Sequence, residues 1–377
     1  MTKKILYVIN VDWFFISHFL PVGLEGTKRG CAVHIACGIT DKKEYLESLG
    51  FIVHPLSIAR SGTSIKTELK TIIEIYKIIK FINPLVLEFF TIKPVLYGGV
   101  VSRFLTIPKK VFYITGLGYI FVSCGLKGFI ARNLVKILYK LAISGKKNSI
   151  IIENIYDKKL INGLNAVNDN QIKIIRGAGV DLSSYCYQEE NNTVLIVTMA
   201  CRLLKDKGVF EYIEAAKILK QKLPNVEFEL YGDIDIHNPA SLTSNDIENI
   251  KKDGFIKVYG FSSNIAKVFQ ESNIVVLPSY REGLPKVLIE AAACGRAVVT
   301  TNVPGCRDAI EPNITGLLCK VKDSKSLANM IEKLIIDNKL RNSMGKEGRK
   351  LAEQEFDINK VIKKHFEIYE LNDGHST

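Results

Sequence analysis

No stretch of this chain is apolar for the roughly 18–20 residues that a membrane-spanning helix needs. The opening run, Lys3-Lys4-Ile5-Leu6-Tyr7-Val8-Ile9, is too short for a signal-peptide core and soon meets Asp12, so it reads as a first strand. None of the eight cysteines forms a C-x-x-C pair, and Cys31, Cys37, Cys201 and Cys319 sit in apolar segments. Metal and dithiol redox roles are therefore not expected, and reduced, cytosolic core thiols are. Acidic residues are scarce in the first half. Residues 1–185 hold 25 Lys and Arg against 12 Asp and Glu, a balance of +13, whereas the remainder comes to −1. One basic half points to an anionic partner, be it a membrane surface, a nucleic acid or a pyrophosphate-linked substrate, with solvated lysines as the plain alternative. A basic strand face with interleaved aromatics is missing, which argues against nucleic acid.

What is present is ample apolar sequence, 47% of 377 residues, more than a single core usually supports. Short apolar runs alternate with helical patterns, as in α/β folds. Strands are expected at 4–10, 31–36, 51–56, 85–89, 110–114, 149–153 and 172–175. After the polar boundary 185–192, more are expected at 193–200, 226–231, 257–259, 273–277, 297–301 and 316–318. Between 66 and 80, Leu69, Ile72, Ile73, Tyr76 and Ile79 form a stripe expected to face the core. Residues 125–147 read as a basic amphipathic helix. Leu126, Phe129, Ile130, Leu134, Ile137, Leu138 and Leu141 are apolar, and Lys127, Arg132, Lys136, Lys140, Lys146 and Lys147 carry charge, which suits either an anionic leaflet or packing on the sheet.

Two loops carry the chemistry. Ser279-Tyr280-Arg281-Glu282-Gly283-Leu284-Pro285 follows an apolar strand and opens a helix, with Pro285 expected in its first turn. A helix start offers free N–H groups and positive partial charge, which suits phosphate. Glu290 lies eight residues after Glu282, so two carboxylates can address two parts of one ligand. The second loop, Cys201-Arg202-Leu203-Leu204-Lys205-Asp206-Lys207-Gly208, ends the strand 193–200. Arg offers a fork and Lys a point charge to a diphosphate. Asp233-Ile234-Asp235 has a metal-binding spacing but follows a different strand, and is read as a solvated loop.

The E-x7-E arrangement, its setting EGLPKVLIEAAACGRAVVTTNVPGCRDAI and the R-x4-K-G loop resemble the donor-binding core of retaining glycosyltransferases of family 4. Arg176-Gly177-Ala178-Gly179-Val180-Asp181 is similar to that family's G-x-GVD turn. The resemblance is dense from 194 to 318 and loose before 172. It implies the GT-B fold: two Rossmann-like domains facing across a cleft, 1–185 and 193–357, with a last helix, 358–371, crossing back to the N-terminal domain. It implies Arg202, Lys207 and Glu282 at the reacting centre of a metal-independent transfer that needs no cofactor. Glu290, Gly283, Leu284, Pro285, Tyr280, Gly260 and Phe261 are then expected around the donor, a UDP-sugar. His18 and the Thr115-Gly116-Leu117-Gly118 turn are candidates for acceptor or sugar contacts. The family's usual His at or near Thr115 is absent, and the first loop is aromatic where relatives often have glycines. The Gly-Leu-Gly turn resembles the branch that moves N-acetylhexosamines onto undecaprenyl-diphosphate saccharides. That places the chain in capsule, O-antigen or glycan assembly, at the inner face of the cytoplasmic membrane. A UDP-sugar 2-epimerase of the same fold and a nucleic-acid-binding protein are the alternatives.

Overall fold

The computed structural model describes residues 2–58, 64–117, 125–190, 193–236 and 238–371, apart from the side chains of 125–132. These divide into two compact units, Met1–Ala178 with Asn359–Thr377, and Gly179–Ile358.

The first unit is built on a wholly parallel sheet. Its strands are β1 (Lys4–Val11), β2 (Ala32–Gly38), β3 (Ile52–Pro55), β4 (Val86–Phe90), β5 (Lys109–Ile114), β6 (Asn148–Ile152) and β7 (Ile172–Ile174). They lie in the order β3-β2-β1-β4-β5-β6-β7. Strands covered on both faces must be apolar along their length, and β4 and β6 are buried at every position. The last helix, Ile358–Tyr369, packs on this sheet. The Tyr369 hydroxyl donates to the buried Glu88 carboxylate on β4, and Arg29 lies 4.3 Å over the Phe366 ring.

The second unit repeats the plan with β8 (Ile196–Ala200), β9 (Glu227–Tyr231), β10 (Lys257–Val258), β11 (Ile274–Leu277), β12 (Ala297–Thr301) and β13 (Gly316–Cys319), again all parallel, ordered β10-β9-β8-β11-β12-β13. The strand order steps outward from β8, then resumes on the other side at β11. Open α/β sheets bind ligands in the crevice that such a reversal leaves at the strands' C-terminal ends.

Two expectations are corrected. The expected polar linker at 185–192 is, through Glu190, part of the second unit. Tyr185 donates to Glu290, the Gln188 carbonyl accepts from the buried Arg296, and Glu190 pairs with the buried Arg341 at 2.8 Å. Between the units the chain divides instead at Ala178/Gly179. The helix Ile65–Ile82 buries Thr71, Ile75, Ile79 and Ile82, while Leu69 and Ile73 are about half exposed. Ile79 is buried and Ile72 and Tyr76 pack on the core as expected, but the buried face is centred one step off, because Thr71 turns inward and donates to the Ser57 carbonyl.

Candidate active site

The loops after β8 and β11 meet at the second sheet's switch point. After β8 the chain makes a short turn, Lys205–Lys207, and then Gly208 at φ +77 starts the helix Val209–Lys220. Only glycine suits that position. Its backbone is left-handed, and an added Cβ lies 2.2 Å from the Pro278 carbonyl oxygen. This approach brings the two loops together. The Asp206 carbonyl accepts from Tyr280 N at 2.8 Å and from Ser279 Oγ at 3.2 Å.

Across that seam Lys207 Nζ donates to Glu282 Oε1 at 2.5 Å, with both side chains largely covered. Burial opposes the Lys207 charge, but Glu282 outweighs it, so the ammonium titrates above its ordinary value. On the far side Gly305, at φ +81, lies against the Glu282 and Gly283 carbonyls, 2.4 Å from an added Cβ, and Thr301 Oγ1 donates to the Ser279 carbonyl. The loop from Pro278 to Gly283 is thus held at its start by the Gly208 turn and at its end by the Gly305 turn.

Pro285 is the cap residue of the helix Lys286–Ala293, one place before the expected first turn. Its extended ψ of 118° keeps it outside the helix, and its carbonyl accepts from Leu288 N. Leu284 is buried. Glu290 lies on the helix's inner face, 6% exposed, and its Oε1 accepts from Tyr185 Oη at 2.8 Å and from Lys286 Nζ at 3.1 Å. Burial, and then the Glu290 charge, push the Tyr185 phenol far up, so it stays protonated and donates.

Arg202 Nη1 donates to Asp235 Oδ2 at 3.0 Å; the arginine is 44% exposed and the aspartate 10%. The reading of 233–235 as a solvated loop is therefore corrected. Asp233 is solvent-facing, but its Oδ1 accepts from Phe261 N at 3.2 Å, and its carbonyl accepts from Leu203 N. Gly260 and Phe261 follow β10; the Gly260 carbonyl accepts from Gly232 N, and the Phe261 ring is 76% exposed. Tyr280 turns toward the helix Val209–Lys220, where its hydroxyl donates to Glu211 at 2.6 Å, and Lys322 sits 4.8 Å over its ring.

In the first unit the helix Asp12–His18 begins directly at the end of β1, without the loop expected to open it. His18 is half-buried, stacked on Phe14 at 4.1 Å, with Nδ1 2.6 Å from Ser17 Oγ. Thr115 and Gly116 follow β5, and the next amide, Leu117 N, donates to the buried Asp157. Gly118 lies outside the described residues. Sequence reasoning missed Asp12, fully buried at the tip of β1, which accepts from Trp13 N, from Thr40 N and Oγ1, and from Lys42 N. A carboxylate ending an apolar run was the available signal. It also missed Tyr185 and Asp235.

The arrangement in the second unit gathers two cations, a clamped carboxylate loop and a helix start at one sheet edge, the equipment for holding a diphosphate-linked ligand. The profile described as "Glycosyl transferases group 1" matches residues 188–351, and "Glycosyl transferase 4-like" matches residues 4–154. A Campylobacter jejuni N,N'-diacetylbacillosaminyl-diphospho-undecaprenol alpha-1,3-N-acetylgalactosaminyltransferase is 29% identical over 369 residues, covering 94% of this chain and 95% of its own. The Staphylococcus aureus capsular polysaccharide biosynthesis glycosyltransferase CapM is 27% identical, covering 87% of each chain. Among solved structures, Anabaena HepE in complex with UDP superposes with a TM-score of 0.76 at 18% identity, over 97% of this chain and 99% of that one. WaaG, a glycosyltransferase involved in lipopolysaccharide biosynthesis, matches with a TM-score of 0.76 at 13% identity, over 98% and 100%. With both halves matched and the two-sheet GT-B architecture in place, this chain belongs to the family 4 glycosyltransferases.

Proposed function

We propose that this enzyme transfers a hexose or N-acetylhexosamine, with retention, from a UDP-sugar to an undecaprenyl-diphosphate-linked saccharide in surface polysaccharide or glycan assembly. The observation that carries the reading is the seam at the second sheet's switch point, where Lys207, Glu282 and the Gly208 turn converge. In this reading Arg202 and Lys207 neutralise the departing diphosphate, the electrostatic role that weighs most where charge develops. Glu290 holds the ribose diol, while Glu282 and the Gly283 and Leu284 amides orient sugar and phosphates. The exposed Phe261 ring stands beside the uracil. The leaving phosphate oxygen helps deprotonate the acceptor on the same face, so the reaction needs neither a metal nor a protein nucleophile. The names of the Campylobacter and Staphylococcus relatives support a lipid-diphosphate acceptor and a capsule-type product.

The same reading places the first unit on an anionic membrane surface, as a peripheral protein at the cytoplasmic face. The helix Gly125–Ile143 turns Tyr139, Ala142 and Ile143 inward and leaves Leu134, Ile137 and Leu141 about half exposed beside Lys136 and Lys140. Among the described residues no helix is long and apolar enough to cross a membrane. The test of the transferase reading is a panel of UDP-sugars offered with extracted lipid-diphosphate saccharides and read by mass. A single added hexose or N-acetylhexosamine supports it; hydrolysis or epimerisation of every donor with no lipid product overturns it.

A further inference from the structure

The loop after β9 was expected to be idle, yet it reaches two parts of the switch-point site. Gly232, at φ +135, lets this loop pass under Cys201, where an added Cβ comes within 1.8 Å of the Cys201 carbonyl oxygen. From there Asp233 holds the Gly260–Phe261 turn through Phe261 N, and Asp235 holds Arg202. The holder is the more buried and the more tied of the two. Asp235 is 10% exposed, its amide donates to Ser241 Oγ at 2.8 Å, and its carbonyl accepts from Asn238 N at 2.7 Å. Residues 240–242 in turn run against the Arg202 loop, with Lys205 N donating to the Ala240 carbonyl and Leu242 N to the Leu203 carbonyl, both at 2.8 Å. Arg202, by contrast, is 44% exposed on a long flexible stem.

An ion pair with one exposed partner adds little to stability, because the guanidinium, 44% exposed, keeps much of its hydration. Its consequence is orientation. A guanidinium carries five N–H donors in a planar fork, so a carboxylate that engages Nη1 leaves others for a second anion and fixes the plane in which they point. We propose that Asp235 is a positioning residue that orients Arg202 for the donor's diphosphate before the donor arrives. This rests on the reading of Arg202 as a diphosphate ligand. A rigid acceptor that sets a flexible arginine in advance removes ordering entropy from the binding step. The rival role for the same contact is competition, with Asp235 occupying Arg202 and having to be displaced.

Calorimetric titration of UDP into the full chain separates the outcomes, using wild type, Asp235→Ala, Asp235→Asn, Arg202→Ala and the Arg202→Ala/Asp235→Ala double variant, each checked by thermal melting. Orientation predicts that Asp235→Ala raises the UDP Kd about tenfold, the scale of one charge-assisted hydrogen bond. Asp235→Asn, whose amide oxygen still accepts from Nη1, recovers most of that loss. In the Arg202→Ala background, removing Asp235 changes Kd less than about twofold, because the effect passes through the arginine. Tighter UDP binding by Asp235→Ala marks competition and overturns the proposal. So does an unchanged Kd, or an equal loss with and without Arg202. If Arg202→Ala itself binds UDP as well as wild type, the diphosphate reading fails and the proposal falls with it.

Discussion

Lys207 Nζ sits 2.5 Å from Glu282 Oε1, joining two loops whose residues are 75 apart in the chain. Removing either partner leaves the other charge largely covered and unpaired, which costs more than the pair contributes. Lys207→Ala is therefore expected to lower stability by about 2–4 kcal/mol, and the Lys207→Ala/Glu282→Ala double variant by less than the sum of the singles. Urea unfolding of the four proteins measures this. Additive losses contradict the coupling.

The same pair sets an alkaline limit. Lys207's folded pKa lies above its ordinary 10.5, because the Glu282 attraction exceeds the opposing burial. A raised base stabilises fully below the unfolded value and loses that stabilisation as pH rises through the folded one. The urea midpoint of wild type is expected to fall more steeply above pH 10.5 than that of the double variant.

Gly208 is expected to admit no side chain. Gly208→Ala combines φ +77 with a contact of 2.2 Å to the Pro278 oxygen, so the two loops must part. A stability loss above about 2 kcal/mol is expected, with transfer abolished even where the protein still folds. Full activity in that variant contradicts the seam as described.

The first unit carries an acid-sensitive edge. His34 Nδ1 lies 3.0 Å from His54 Nε2 between β2 and β3, and burial, then His54 and Lys4, push His34 down to about 4; burial lowers His54 too. Both folded values lie below the unfolded 6.5, so the unfolded chain takes up protons first. Stability is full above pH 6.5 and is lost as pH falls from there toward 4. His34→Gln is expected to flatten this acid limb, read as melting temperature against pH.

How much of this was legible follows from what fixed each residue. The strands were, because parallel strands covered on both faces are apolar along their length. The placement of Arg202, Lys207 and Glu282 in turns at strand ends was, because each turn follows an apolar run. Asp235 was not. Its partner is 33 residues away, and the contact exists only because β9 lies beside β8 and Ser241 holds the loop. Tyr185 was missed for a similar reason. It sits in a polar stretch that reads as a linker, yet it is tied to Glu290, 105 residues on. Leu69 and Ile73 show the converse limit: a 3.6-residue period locates a helix without saying which flank of its apolar stripe the sheet covers.

Membrane docking has its own test. Replacing Leu134, Ile137 and Leu141 together by Ser, at positions already half exposed, is expected to leave the melting temperature within a few degrees. It is expected to cut sedimentation with anionic phosphatidylglycerol vesicles severalfold, while wild type ignores neutral phosphatidylcholine. Equal binding by both proteins contradicts the docking face.

In the proposed reaction the edge between β8 and β11 cradles a sugar nucleotide's two phosphates. A crystal structure of the UDP complex tests it most directly. Diphosphate oxygens are expected within about 3 Å of the Arg202 guanidinium and of Lys207 Nζ, with the ribose on Glu290. UDP bound with its phosphates away from all three side chains contradicts it.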